Sequence, residues 1–176
     1  MSVSIRSAGE ADVPLIARFI RELAEYERLT QEVVMTEANL HRSLFGERRY
    51  AEVLIADEGM QPLGFALFFH TYSTFLGRPG IYLEDLFIRP EQRGRGVGMQ
   101  LLVRLAQLAQ ERGCGRLEWS VLNWNETAIG FYDRLGAQPQ SAWAVYRLTG
   151  NALEALGTRE TSVPPEATGG PPRQGG

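Results

Sequence analysis

The sequence has no lysine, a single cysteine and only two histidines, and each shortage excludes a class of chemistry. All 18 basic residues are arginine. Catalysis through a lysine amine and a Walker-type phosphate loop, which needs a lysine, are therefore excluded. Cys114 alone cannot form an intramolecular disulfide or a multi-cysteine metal site. His41 and His70 stand outside any nucleophile motif, so we do not expect a hydrolytic triad.

The sequence also lacks a basic excess and long apolar runs. Its formal net charge is -3 and its pI is near 5.5, which argues against nucleic-acid binding and is compatible with cationic substrates. Apolar runs such as residues 64–69 are too short to span a bilayer, and the first 20 residues carry no secretory signal. We therefore expect a cytoplasmic protein with no nucleic-acid or membrane partner.

The hydrophobic patterns predict one α/β (α+β) domain over residues 1–157. Strand and helix patterns follow one another in the order β, α, α, β, β, β, α, β, α, β, with a last strand near residues 143–148. This order indicates a mixed central β-sheet flanked by helices. Residues 158–176 carry four prolines and four glycines without apolar periodicity, and we predict that they form a disordered tail.

A glycine-rich segment joins an apolar strand at residues 81–89 to a helix predicted over residues 97–112. Backbone amides at a helix start have no helical partners and attract phosphate. Gly96 and Gly98 lack a Cβ that would collide with a ligand, and two neighbouring arginines supply positive charge. The glycine spacing does not fit a dinucleotide-binding fingerprint. The segment therefore predicts a pyrophosphate site, the alternative being a glycine-rich turn without a ligand.

Two adjacent carboxylates, Glu84 and Asp85, interrupt the apolar strand that precedes this segment. Successive side chains of a strand point to opposite faces, so we predict that Asp85 shares a face with Leu83 and Phe87, and that Glu84 lies on the other. Only one carboxylate then faces a given cleft. Burial of an acid is costly unless the acid is hydrogen-bonded or functional, and the neighbouring phosphate site favours function.

A second motif lies at residues 124–137, where Trp-Asn is followed by Ala128, by Tyr132 seven residues beyond Asn125, and by Gly-Ala. With Arg-x-x-Gly-x-Gly at residues 93–98, this pattern resembles the GNAT superfamily of acetyl-CoA-dependent N-acetyltransferases. The Tyr-Leu-Glu-Asp run at residues 82–85 is similar to the diamine acetyltransferases, which include spermidine/spermine and thialysine N-acetyltransferases. The resemblance covers about residues 3–156 and implies the GNAT fold.

The resemblance implies that acetyl-CoA is the cosubstrate and that no metal is needed. It places the pantetheine arm on the main chain of one strand, the pyrophosphate on the glycine-rich segment, and the rest of the CoA on the second motif. The residues implied are Leu86, Phe87 and Ile88; Arg93, Gly94, Arg95, Gly96, Val97, Gly98 and Met99; and Asn125, Ala128 and Tyr132.

The resemblance also implies roles in the chemistry. Glu84 would accept the proton of the amine, directly or through water, and Tyr132 would protonate the departing sulfur. Without the resemblance, Tyr132 is equally well explained as a core tyrosine. Tyr26 and Glu27, together with Glu84 and Asp85, would contact the substrate. The alternative for Tyr26 and Glu27 is a solvated helix end.

Ser73 bears on the choice of amine. Family members that prefer polyamines carry an acidic residue at this position, whereas thialysine-preferring members resemble this chain there. The resemblance therefore favours a small amine such as thialysine, lysine or a short diamine. Acetylation of protein N-termini or of ribosomal proteins, and a non-catalytic acyl-CoA-binding regulator, are the alternatives.

The resemblance further implies a homodimer. The apolar residues Trp143, Val145 and Tyr146 of the last predicted strand would contribute to its interface. The alternative is that these three side chains belong to the core.

Overall fold

The computed structural model describes residues 2–159, which fall into two compact units. The first unit extends to Glu126 and the second begins at Thr127. The tail predicted over residues 158–176 lies outside the described residues, except for its first two.

The first unit is a five-stranded mixed sheet with helices on both faces, as the sequence predicts. The strands lie in the order β1-β2-β3-β4-β5, and all neighbours are antiparallel except β4 and β5. The strands are β1 (Val3–Ser7), β2 (Glu52–Glu58), β3 (Gln61–Ser73), β4 (Arg78–Ile88) and β5 (Leu117–Trp119), and the helices are α1 (Val13–Glu27), α2 (Glu37–Phe45) and α3 (Val97–Glu111).

The core lies on both faces of the sheet. Residues 53–57 of β2 are buried without interruption, the pattern of a strand that is covered on both sides. On one face Phe19 of α1 stacks on Phe65 with ring centroids 5.4 Å apart, and Phe87 joins the same cluster. On the other side of the molecule, helix α3 buries an apolar stripe that includes Leu101 and Leu105.

Helix α1 ends in a sharp turn that shapes the site described below. Arg28 adopts a left-handed conformation, with φ 61°, and its N–H donates to the last carbonyls of the helix. This is a common helix C-terminus, although the residue is usually glycine. Residues 29–36 connect α1 to α2. Thr36 is the N-cap of α2, and its hydroxyl accepts a hydrogen bond from the Asn39 N–H at 3.2 Å.

A β-bulge at Glu84 breaks the alternation of side chains along β4. Leu67 of β3 pairs with Asp85 and the next residue, Phe68, pairs with Leu83, so Glu84 has no opposite residue. Leu67 packs against the α1 cluster, whereas the Phe68 ring lies 5.8 Å from the Arg112 guanidinium at the end of α3. Asp85 and Leu83 therefore lie on opposite faces, and the prediction that they share one is wrong because the bulge inserts a residue.

The second unit contains α5 (Gly150–Gly157) and most of α4 (Glu126–Arg134). The strand predicted near residues 143–148 is not present, and that prediction is wrong. Its alternating apolar pattern is suited to a strand, but strand formation depends on a partner strand. The side chains of Trp143, Val145 and Tyr146 are exposed, so they are not core residues. Among the described residues, no helix is long and apolar enough to cross a membrane.

Candidate active site

Strand β4 has an open edge at its C-terminal half. It pairs with β3 along its whole length but with β5 only from Ile81 to Leu83. Within the described part of the chain, residues 84–88 therefore have no strand on their other side. Every second residue of a strand directs its N–H and C=O groups to the same edge, so the main chain from Leu86 to Ile88 offers hydrogen bonds to an extended ligand.

After β4 and a short 3-10 turn at Pro90–Gln92 comes a segment that we call the glycine loop, residues 93–99, which includes the first residues of α3. Gly94 and Gly96 have φ values of 73° and 77°, a conformation that disfavours other residues. A Cβ at either position would meet nothing within 4 Å, so glycine is required here by the backbone and not by protein packing. A Cβ on Gly98 would meet only the Ile88 side chain, at the ordinary distance of 3.8 Å.

The glycine loop contains a helix start without a side-chain cap. Helix α3 begins at Val97, as predicted, with Gly96 as its N-cap and no side-chain cap. The first amides of such a helix lack helical acceptors and carry the positive end of the helix dipole. An anion such as a pyrophosphate fits this arrangement.

The two arginines of the glycine loop have different protein partners. Arg95 donates to both oxygens of Glu58, at 2.8 and 2.9 Å, and also contacts Gln92. The same pair lowers the pKa of Glu58 below its usual range. Arg93 donates from Nε to the Ile88 carbonyl at 2.9 Å, and its guanidinium lies over the Tyr26 ring, 4.2 Å from the centroid. Arg95 is therefore neutralised by a carboxylate, whereas Arg93 rests on an aromatic face.

An acidic cavity lies between the end of α1, the segment that follows it, and β4. Its volume is about 300 Å³. Most of its wall is apolar and comes from α1 and residues 29–35. Three carboxylates also line it, those of Glu27, Glu32 and Asp85, and the described lining residues include no basic side chain.

The electrostatics of the acidic cavity favour a cation. Burial, together with the neighbouring charges of Glu84 and Glu27, raises the pKa of Asp85 to about 6. Burial also raises the pKa of Glu27. These carboxylates are close together and partly desolvated, so an incoming ammonium group would relieve both costs.

The structure separates the four residues predicted to bind the substrate into two groups. Glu27 and Asp85 line the acidic cavity, whereas Glu84 is exposed at the bulge and Tyr26 lies under Arg93. The role of Glu84 as a base stays a prediction. Glu32 and residues 33–35 were not predicted, because they belong to no motif and reach the cavity only through the left-handed turn at Arg28.

The second motif spans the boundary between the two units. Asn125 belongs to the first unit, and its N–H donates to the Leu122 carbonyl at 2.9 Å. Ala128 and Tyr132 belong to the second unit, where the Tyr132 ring lies 5.5 Å from that of Phe131. Burial raises the pKa of Tyr132 above its usual value, so its hydroxyl stays protonated at neutral pH.

Comparisons with a family model, with known proteins and with solved structures agree with one another. Residues 17–137 match the model of the Acetyltransferase (GNAT) family. The chain is 39% identical to thialysine N-epsilon-acetyltransferase from Bos taurus, over 88% of this chain and 96% of that protein. It is 34% identical to L-ornithine N5-acetyltransferase from Arabidopsis thaliana, over 86% of each. A solved structure of an integron cassette protein from V. cholerae is similar with a TM-score of 0.76 at 31% identity, over 90% of this chain and 99% of that one.

Proposed function

The chain belongs to the acetyltransferase (GNAT) family and is an acyl-CoA-dependent N-acetyltransferase, and from this premise we propose that it acetylates a primary amine of a small molecule with acetyl-CoA. The observation that carries the proposal is the acidic cavity, whose residue Asp85 lies on the open half of β4, next to Leu86. A cation site and an extended-ligand site thus adjoin on one strand. Direct attack of the amine on the thioester in a ternary complex follows from this proximity.

Acetyl-CoA fits the backbone features of the first unit. The amides from Gly94 to Met99 would hold its pyrophosphate, and the main chain from Leu86 to Ile88 would hold its pantetheine arm. Acetyl-CoA supplies the thioester carbonyl that the amine attacks. A main-chain N–H near Phe87 would donate to the oxygen of that carbonyl, a preorganised donor where negative charge develops.

The amine must lose a proton before it can attack. A primary alkyl amine has a pKa of ~10.4, so it is almost wholly protonated at neutral pH. We assign Asp85 and Glu27 to hold the ammonium group in the acidic cavity. Glu84, exposed at the bulge beside Asp85, would accept the proton directly or through water and pass it to solvent.

The departing thiolate needs a proton in turn. A CoA thiol resembles a cysteine, with a pKa of ~8.5, and a tyrosine of pKa ~10 can donate to its thiolate only when the two groups are in hydrogen-bond contact. We assign this role to Tyr132. Burial raises the pKa of Tyr132, so the hydroxyl carries its proton at the working pH and transfer to the thiolate depends on direct hydrogen-bond contact.

The proposed substrate is a small amine such as thialysine, a lysine-like amino acid or a short diamine. Relatives at 39% and 34% identity are named for thialysine and for L-ornithine. A cavity of about 300 Å³ suits a molecule of this size, and its carboxylates suit a second ammonium group.

We also propose a homodimer. The exposed apolar side chains of Trp143, Val145 and Tyr146 support it, since such a cluster on a protein surface commonly marks an interface. Light scattering on the purified protein gives the mass directly. The mass of two chains is expected, and the mass of one chain would contradict the proposal.

An amine panel tests the proposed function. Purified protein is mixed with acetyl-CoA and thialysine, lysine, ornithine, short diamines, spermidine or an N-terminal peptide, and free CoA and acetylated product are measured. We expect acetylation of small amines with two amino groups. Acetylation of the peptide alone would favour an N-terminal acetyltransferase, and tight acetyl-CoA binding without any product would favour a non-catalytic regulator.

A further inference from the structure

One face of helix α1 is held by two arginines that flank the open end of β4. Arg89, directly after β4, donates to both oxygens of Glu22, each at 2.9 Å, and lies 5.0 Å from the Phe19 ring centroid. Tyr26 follows Glu22 by one turn of α1, and the Arg93 guanidinium lies over the Tyr26 ring. Residues at spacings of three and four share a helix face, so these contacts form one continuous seam. The strand end and the glycine loop are thereby fastened to α1.

The two arginines of this seam differ in whether a carboxylate neutralises them. Arg89 is neutralised by Glu22, as Arg95 is by Glu58. Arg93 forms no ion pair with any described residue; its partners are the Ile88 carbonyl and the rings of Tyr26 and Phe87. An aromatic face orients a guanidinium without cancelling its charge. Of the arginines that flank the glycine loop, Arg93 therefore keeps its full charge for an anionic ligand.

We propose that Tyr26 is a positioning residue for the cofactor and acts through Arg93. The inference rests on the proposed function, since it assumes that a CoA pyrophosphate binds the glycine loop. Tyr26 fixes the Arg93 side chain in one orientation before the ligand arrives. Without the ring, the long side chain would have to be ordered at the moment of binding, and that loss of rotamer freedom weakens affinity.

This assignment differs from the role that sequence resemblance implies for Tyr26. A tyrosine that only contacts the amine would change the KM for the amine and leave the affinity for CoA unchanged. A tyrosine that positions Arg93 changes the affinity for CoA in the absence of any amine. The two roles are therefore separable by one binding measurement.

The test is calorimetric titration of CoA into the wild type and into five variants without amine. Tyr26→Leu removes the ring, and we expect the Kd for CoA to rise about fivefold, the size of a partly exposed cation–π contact. Tyr26→Phe keeps the ring and should restore wild-type affinity within twofold. Arg93→Met should weaken binding at least as much as Tyr26→Leu, and adding Tyr26→Leu to it should have no further effect.

Glu22→Gln is the matched control, because it loosens α1 from Arg89 without touching Arg93. We expect it to lower the melting temperature and to leave the Kd for CoA within twofold. Equal weakening by Glu22→Gln and Tyr26→Leu would overturn the inference in favour of general anchoring of α1. Unchanged CoA affinity in Tyr26→Leu, or additive effects with Arg93→Met, would also overturn it while leaving the proposed function intact. If the wild type bound no CoA, the proposed function itself would fail.

Discussion

The glycine loop and the acidic cavity both adjoin the C-terminal half of β4 and have opposite electrostatic character. The loop offers unpaired amides at the start of α3 and the uncancelled charge of Arg93. The cavity offers three carboxylates in an apolar wall, with no basic side chain among its described lining residues. In the proposed function this contrast lets one strand serve two substrates, because an anion and a cation would each be attracted to only one of the two sites.

The two sites also differ in how much they lower the stability of the folded protein. The loop satisfies its special backbone with glycine, so it carries little strain. The cavity holds Asp85 with a pKa of about 6, which means that burial works against its charge at neutral pH. The charged carboxylate therefore lowers the stability of the folded protein, and a bound cation would relieve this cost. The following variants test the difference between the two sites.

The largest expected effect comes from a residue of the second unit. Tyr132→Phe removes the proposed proton donor and should lower kcat about 100-fold, a typical contribution of general acid catalysis. The Kd for acetyl-CoA and the KM for the amine should change little. Steady-state kinetics with calorimetric binding measures all three, and unchanged kcat would remove Tyr132 from the mechanism.

Asp85→Asn should stabilise the protein at pH 7 by about 3 kcal/mol, at ~1.4 kcal/mol per pKa unit. The unfolded pKa of Asp85 is near its ordinary value of 3.8 and the folded pKa is about 6, so the destabilising effect of Asp85 grows as the pH rises from 3.8 to 6 and is complete above pH 6. Below pH 3.8 the carboxyl is neutral in both states and the gain should vanish. Urea unfolding at pH 4 and pH 7 measures the difference. An Asp85→Asn variant that is less stable at pH 7 would show that Asp85 is a structural acid.

The same substitution should weaken the amine site without affecting the cofactor site. Asp85→Asn removes one carboxylate from the cavity and should raise the KM for the amine about tenfold, with the Kd for CoA unchanged.

Glu84→Gln serves as the comparison with Asp85→Asn, since the Glu84 side chain is exposed at the bulge. It should lower kcat most at low pH, where the amine is most protonated. Equal losses in Glu84→Gln at every pH would limit Glu84 to positioning.

A substitution in the glycine loop should have the opposite effect, weakening the cofactor site and leaving the amine site unchanged. Gly96→Ala places a Cβ on a residue with φ 77°, where nothing lies within 4 Å, so only the backbone conformation is penalised. The cost of about 1 kcal/mol should distort the glycine loop and raise the Kd for CoA about fivefold. Gly98→Ala, at an ordinary φ, tests instead whether a ligand approaches the chain there. A Gly96→Ala variant that changed the KM for the amine and not the Kd for CoA would break the comparison.

The glycine loop was predictable from the sequence because it is contiguous. Its positive φ angles, its helix start at Val97 and its arginines all lie within residues 93–99. The acidic cavity was only partly predictable, since it combines Glu27 and Asp85 with Glu32 from a segment without a motif. The bulge at Glu84 could not be predicted from alternation, because it depends on the register between β3 and β4.

The prediction of a strand near residues 143–148 failed for a related reason. The apolar alternation from Trp143 onward is a local property, whereas a strand also requires a neighbouring edge with which to pair. In contrast, the five strands of the sheet and the helices that cover it follow from patterns that the surrounding chain satisfies. The order of elements in the first unit was therefore predictable, and so was α4, whereas the last predicted strand is absent and α5 was not predicted.

The most direct test of the account is product analysis with acetyl-CoA and an equimolar mixture of thialysine, ornithine, a short diamine and an N-terminal peptide. Mass spectrometry identifies each acetylated product, and free CoA is measured in parallel. We predict acetylation of the small amines, in amounts equal to the CoA released, and strong loss of this product in Tyr132→Phe. Acetylated peptide with unmodified small amines would contradict the account.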